Sequence, residues 1–263
     1  MITLKSPSEV ARMRESGRIV AEVLAILTEK AVPGATTAEL DAIAEACIRK
    51  NGAVPAFLGY GSTQSRPGFP GSICASINEE VVHGIPGPRE LREGDLLSVD
   101  VGALKEGYFG DAAKTIGVGR VDPEAARLMR VCRESLERGI EKARAGSMLA
   151  EVSAAIQRHA EANGYSVVRK FVGHGIGTEM HEDPQIPNYV APGFAEVELK
   201  PGMTLAIEPM INEGTHRVQI GHDGWTVVTS DRRRSAHWEH TVVVTAGEAE
   251  ILTVSQPQQE LEQ

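Results

Sequence analysis

The sequence predicts an α+β chain of two similar halves, each a pair of helices laid over antiparallel strands. Three observations carry that reading. Two long amphipathic helical patterns precede strand-forming residues near the N-terminus, and a second such pair follows at mid-chain. Shifting the chain by 112 positions lays Gly34, Ala38, Glu39 and Ala42 on Gly146, Ala150, Glu151 and Ala154, and lays Asn51-Gly52 on Asn163-Gly164. Between the pairs lies LLSVDVGALKEGYFGDAAK, Leu96 to Lys114, a strand, a turn at Ala103 to Gly107 and a second strand, with one acid on each side. Residues 1–254 read as a single domain with halves at roughly 1–118 and 119–254, and a site belongs where the two sheets meet. Residues 255–263, rich in Gln and Glu, read as a disordered tail.

The elements follow in order. Ser6-Pro7-Ser8-Glu9 is a capping box with proline at the first helical position. It opens a helix with apolar positions Val10, Met13, Ile19, Val20, Val23, Leu24 and Leu27, stopped by Val32-Pro33-Gly34. Thr36 caps a second helix with Glu39 three residues on; Leu40, Ile43, Ala44 and Cys47 are its buried stripe, and Asn51-Gly52 its exit. Ser62 to Gly71 is a Gly-, Pro- and Ser-rich loop; Ser72 to Ile77 and Val81 to His83 are short strands. Asp122-Pro123 starts a third helix with Leu128, Met129, Cys132, Leu136 and Ile140, stopped by Gly146, and Ser147 caps a fourth. Strands are expected at Tyr165 to Val168, Met203 to Glu208, Trp225 to Val228 and His237 to Thr245, with connecting chain from Val190 to Lys200.

Composition bounds the function. The chain has 263 residues, 41% of them hydrophobic, enough for one large core or two fused ones. A net charge of −9 argues against a general nucleic-acid binder, DNA included. Cys47, Cys74 and Cys132 are odd in number and widely spaced, which supports neither a disulfide framework nor a thiolate zinc site. The N-terminus is too charged for a signal peptide, and no apolar run approaches the roughly 18 residues of a membrane span. The expectation is a reducing, cytoplasmic setting.

A hairpin centred between Lys105 and Glu106 would set Asp100 opposite Asp111; a shift by one two-residue step would make them diagonal on the same face. Like charges opposed on strands are destabilising, so either the acids lie in the loop and face water, or cations sit between them. In the second half Glu208 ends Thr204-Leu205-Ala206-Ile207, Glu239 opens a Val-rich run, and His174 stands among glycines. Each alone reads as a solvated strand end or a turn. Brought to one cleft, four carboxylates could not all ionise without compensating cations. One imidazole with several carboxylates suits Mn²⁺, Fe²⁺, Co²⁺ or Zn²⁺. His83, His181 and His240 lie close in sequence to these residues.

Asp100 in VDVG, Asp111 in GDAAKT, His174 in GHGIG, Glu208 in IEPM and Glu239 in WEHT resemble the five metal ligands of type I methionine aminopeptidases. HGIP at 83–86 and MHEDP at 180–184 match as well, and the resemblance runs from the first helix to about Thr253. It implies the pita-bread fold, one catalytic domain whose two pseudo-symmetric halves surround a dinuclear site. It implies two divalent ions (Mn, Fe(II), Co or Zn), with Asp111 and Glu239 bridging them, Asp100 chelating one, and His174 and Glu208 completing the other. It implies that an activated water attacks the first carbonyl while Glu208 shuttles the proton. His181 would stabilise the oxyanion and His83 would contact the scissile amide nitrogen. The implied function is removal of N-terminal methionine from nascent proteins and peptides with a small second residue.

The implied pocket comprises Tyr60, Phe69, Cys74, His83, Met180, His181 and Trp225. Phe57, Phe69 and Met180 depart from the family, standing where a cysteine, a tyrosine and a phenylalanine are familiar, yet all remain apolar. The loop between Tyr60 and Phe69 is longer than usual. Aminopeptidase P and prolidase share the ligand set but generally carry a further N-terminal domain, and a non-catalytic protein- or ribosome-binding relative would usually lose a ligand. Arg232-Arg233-Arg234 reads as a solvated loop or as a ribosomal RNA contact; a monomer is expected.

Overall fold

In the computed structural model of the chain, residues 2–63, 67–190 and 197–254 are described. The expected tail, the middle of the 62–71 loop and most of the 190–200 connection lie outside the described residues. Four long helices form where the caps direct them: α1 (Pro7–Lys30), α2 (Thr37–Lys50), α3 (Pro123–Ile140) and α4 (Leu149–Ala162). Reciprocal capping boxes open the first two, with Glu9 accepting from Ser6 N–H at 2.7 Å and Glu39 from Thr36 N–H at 2.7 Å. Helices α2 and α4 start and stop 112 positions apart, and Gly34 and Gly146 hold φ of 89° and 83° at matching places.

Two expectations at the second pair are corrected. The third helix ends at Ile140, six residues before Gly146, whose left-handed backbone belongs to the turn that follows. The N-cap of α4 is Met148, not Ser147. Methionine offers no capping oxygen, so only Glu151 acts, accepting from Met148 N–H at 3.0 Å.

Each helix pair covers its own sheet. Helices α1 and α2 pack Ile19, Val20, Val23, Leu27, Leu40 and Ala44 on Ile73, Leu97, Val99 and Val101; Ile43 and Cys47 sit at that core's edge, and Ile48 is inside it. Helices α3 and α4 pack Leu128, Cys132, Leu136, Val152 and Ile156 on Leu205, Ile207, Ile211 and Val242. The first sheet pairs strand 96–105 with strands 54–55 and 73–77 and with strand 108–117. The second orders strands 250–251, 240–243, 204–207, 173–175 and 182–186, and the described residues form two further three-stranded sheets.

The hairpin is one step out of the expected register. Lys105 pairs with Tyr108, so the turn is only Glu106-Gly107, with φ of 50° and 80°. Two successive positive φ values are those of a type I′ turn, whose twist matches the flanking strands. Asp100 therefore pairs with Ala113 and Asp111 with Gly102, and the acids are diagonal on one face. The expected strand 237–245 is broken into 235–237 and 240–243, leaving Glu239 in the gap.

That gap is where the halves join. Glu239 N–H donates to Ala113 carbonyl at 2.9 Å, and Asp111 N–H donates to Thr241 Oγ1 at 3.1 Å. Thr241 Oγ1 in turn donates to the Asp111 carbonyl at 2.8 Å. Thr115 Oγ1 donates to the His237 carbonyl at 2.9 Å and accepts from His237 N–H at 2.8 Å. One strand from each half is thus fastened to the other by a backbone bond and two threonine hydroxyls, with its acids facing the same space.

Candidate active site

A cleft of about 200 Å³ opens at this seam, below the roughly 300–1,000 Å³ of pockets for drug-sized ligands, so it suits one side chain. Asp100, Asp111, His174, Glu208 and Glu239 line it, and so do Tyr60, Phe69, Cys74, His83, Met180, His181, Trp225 and Phe57. Every site residue expected from the sequence is therefore in one place. His240 is not; its Nδ1 bonds Thr253 Oγ1 at 2.8 Å, on the other side of its strand.

At the floor, ligand atoms of Asp111, His174 and Glu239 lie within 4.8 Å of one another, all three residues buried. His174 Nε2 is 3.7 Å from Glu208 Oε1 and 4.0 Å from Asp111 Oδ2. Its Nδ1 lies 2.8 Å from the Gly175 carbonyl, which can only accept, so Nδ1 carries the proton and Nε2 presents a lone pair to the carboxylates. Gly173 and Gly175 permit this position, since a Cβ on either would lie 2.4 Å from the Ala206 carbonyl oxygen or 2.2 Å from that of Asp183.

Electrostatics show what the floor lacks. Burial, with the neighbouring carboxylates, raises Asp111, Glu208 and Glu239 well above the usual carboxylate range; burial raises Asp100 to about 7. Burial also holds His174 down to about 3 and His83 down to about 4, so both imidazoles stay neutral. Asp100 Oδ1, Asp111 Oδ1 and Glu239 Oε1 are buried with no hydrogen-bond partner in the protein. Acceptors facing acceptors, unpaired and out of water, are the donor set of a hard or borderline cation, and the residues fit one.

The walls are apolar. Phe57, Phe69, Cys74 and Met180 form one buried cluster, with Phe69 edge-on to Trp225 at 5.4 Å. Burial first, then the acids below, raises the Cys74 thiol well above its ordinary value, so it serves as wall and not as nucleophile. His83 holds φ of 60°, a conformation few non-glycine residues adopt, and its ring stands edge-on to Phe171 at 5.6 Å. His181 stands at the mouth, its Nδ1 2.7 Å from the Tyr60 hydroxyl and its ring 4.2 Å from that of His174.

Sequence reasoning missed His237. Its Nε2 is buried, unpartnered and 3.7 Å from Glu208 Oε2, and burial holds its pKa to about 3. The available signal was period two: in the expected unbroken strand, His237 precedes Glu239 by two residues and would share its face.

Comparison with known proteins agrees with this arrangement. Residues 11–246 match the model of metallopeptidase family M24. The methionine aminopeptidase of Clostridium perfringens is 50% identical over 97% of this chain and 99% of its own length. Methionine aminopeptidase 1 of Bacillus subtilis is 49% identical over 96% and 99%. The crystal structure of methionine aminopeptidase from Thermotoga maritima superposes with a TM-score of 0.92 at 47% identity, covering 97% of this chain and 100% of that one. Prolidase from Pyrococcus furiosus, at 23% identity and a TM-score of 0.75 over 66% of its chain, shares the fold alone. The chain belongs to metallopeptidase family M24 and, within it, to the methionine aminopeptidases. It is thus a hydrolase with the pita-bread fold, of a family that uses metal. No helix among the described residues is long and apolar enough to cross a membrane.

The acids imply a pH dependence. A carboxyl whose folded pKa is raised makes the folded state hold more protons than the unfolded one, so stability is lost as pH rises through that window. The buried histidines, lowered when folded, give the opposite slope until their unfolded forms are neutral, but that contribution is common to metal-free and metal-loaded protein. The gain in Tm on adding Mn²⁺ to the metal-stripped protein should therefore grow as pH rises through about 7, since fewer protons remain on the acids to be displaced. Scanning calorimetry with and without chelator checks this; a Tm gain from Mn²⁺ that shrinks with pH would contradict it.

Proposed function

We propose that this chain removes the N-terminal methionine from nascent proteins and peptides with a small second residue. The observation that carries the proposal is the junction of a buried carboxylate–imidazole floor with an apolar pocket sized for one side chain. Asp100, Asp111, His174, Glu208 and Glu239 would hold two divalent ions (Mn, Fe(II), Co or Zn), which when bound acidify water and polarise the carbonyl. Phe57, Phe69, Cys74, Met180 and Trp225 receive the thioether chain and exclude water around it. Glu208, just beyond its strand with its carbonyl held by Asn188 Nδ2 at 3.0 Å, takes the nucleophile's proton and returns it to the leaving amine. With the Tyr60 hydroxyl donating to Nδ1, His181 keeps a proton on Nε2 for the oxygen that gathers charge. Neutral His83 faces the scissile amide nitrogen.

The working state in this reading is a monomer, and three free cysteines support a cytoplasmic setting. Ribosome docking falls to Arg232 and Arg233, both exposed. Arg234 is engaged by Asp122 and, at 2.9 Å, by Glu213, so it braces the start of α3 instead. Ribosome co-sedimentation of an Arg232→Ala, Arg233→Ala variant should fall, most at low salt; unchanged binding would remove the assignment.

Peptides beginning Met-Ala or Met-Gly should be cut, and Met-Lys or Met-Leu hardly at all. Equal turnover of Met-Ala and Leu-Ala peptides would refute the pocket's role while leaving the floor intact.

A pair of variants separates holding metal from moving protons. Glu208→Gln keeps size and one carbonyl oxygen but cannot carry a proton; it should retain at least one ion by calorimetry and lose about 10²–10⁴-fold in kcat. Asp111→Asn should lose metal and activity together. A Glu208→Gln protein with metal bound and more than about a tenth of wild-type kcat would assign the shuttle elsewhere, His181 being next in line.

A further inference from the structure

We propose that Lys5 is a positioning residue for the turn that carries Met180 and His181, acting through Glu182. The side chains of Lys5 and Glu182 are 3% and 11% exposed and form an ion pair between the segment before α1 and the strand 182–186. Lys5 does not line the cleft, so whatever it does there it does through the turn.

Glu182 works with both oxygens. Oε1 accepts from Thr178 N–H at 2.8 Å and Glu179 N–H at 3.3 Å, drawing the turn shut on itself, while Oε2 is held by the Lys5 ammonium. The Lys5 side chain lies directly over Gly177, where a Cβ would come within 2.3 Å of its Cε. From the other side Phe109 N–H donates to the Gly177 carbonyl at 2.8 Å. Lys5 is a fixed base for this, because its own N–H donates to the Gly202 carbonyl at 2.7 Å and the next residue caps α1. At the far end of the turn His181 has the Tyr60 hydroxyl as its hydrogen-bond partner.

A buried carboxylate that loses its cation keeps only backbone donors, and the turn it closes is free to shift. Displacing a catalytic group by about 1 Å can cost on the order of 10²-fold in rate even when the change is remote from the chemistry. The inference rests on the role given above to His181, and the test keeps the two apart.

Lys5→Met should lower kcat on a Met-Ala-Ser peptide by about 10- to 100-fold. In a His181→Ala background the same change should lower it by no more than about twofold, since the group it positions is already gone. KM should rise in both backgrounds, because Met180 rides on the same turn. In the metal-free protein, amide exchange should quicken over residues 176–183 and not in α1 or strand 204–207. Equal kcat losses in both backgrounds, or quickened exchange throughout, would overturn the inference and leave Lys5 a general brace. If Lys5→Met does not fold, Glu182→Gln, which keeps an acceptor for Thr178 N–H, is held to the same criteria. A His181→Ala enzyme with wild-type kcat would instead refute the role of His181, and the exchange result would then decide for Lys5 alone.

Discussion

Four carboxylates and two imidazoles are held out of water in one cleft, and the rest of the structure is arranged to tolerate that. Like charges at such separation cannot all ionise in a buried setting, so the acids are pushed toward protonation and several of their oxygens go unpaired. A cation relieves repulsion, desolvation and missing hydrogen bonds at once. Without one, the site is a standing cost to folding, offset by the two apolar cores on either side.

The acids stay together because the seam leaves their backbones no freedom. Thr241 bonds both the N–H and the carbonyl of Asp111, and Glu239 donates its own N–H across to Ala113. These are backbone positions on strands anchored beneath helix pairs, so side-chain repulsion cannot push the strands apart without breaking both sheets. A site carried on rigid elements is the more exact one. The walls are built differently. His181 and Met180 sit in an irregular turn between strands 173–175 and 182–186, Tyr60 and Phe69 flank a long loop, and His83 depends on a left-handed residue. In the proposed function those residues meet the substrate, and contacts such as that of the Tyr60 hydroxyl with His181 help to place them.

Local chemistry wrote much of this fold in the sequence. Ser6, Thr36 and Asp122 start helices because each offers an oxygen to the exposed N–H groups of a first turn. Where the local signal was ambiguous the reading slipped. Five residues, Ala103 to Gly107, looked like turn, but pairing with strand 54–55 extends the ladder to Leu104 and leaves only Glu106-Gly107 to reverse the chain. Met148 caps α4 without a side-chain oxygen, its entry held by Glu151 accepting from the Met148 N–H and by the bridge to Glu198. The run 237–245 looked like one strand, and its break at Trp238-Glu239 exists because the two pieces pair with different sheets.

By itself the sequence pointed to the residues that could do chemistry only when they were taken together and by their resemblance to family motifs, each alone reading as a solvated strand end or a turn, and it determined that Asp100 and Asp111 share a face, since pleating has period two in either register. It also set the helices, whose caps and stripes are local. Only the tertiary structure decided that residues from Tyr60 to Glu239 meet in one cleft, that His237 lies behind it beside Glu208 while His240 turns away, and that Lys5 reaches the turn before Glu182. Those are contacts between residues far apart in the chain. Their geometry follows from how two sheets pack under their helices, and no local pattern of residue types encodes it.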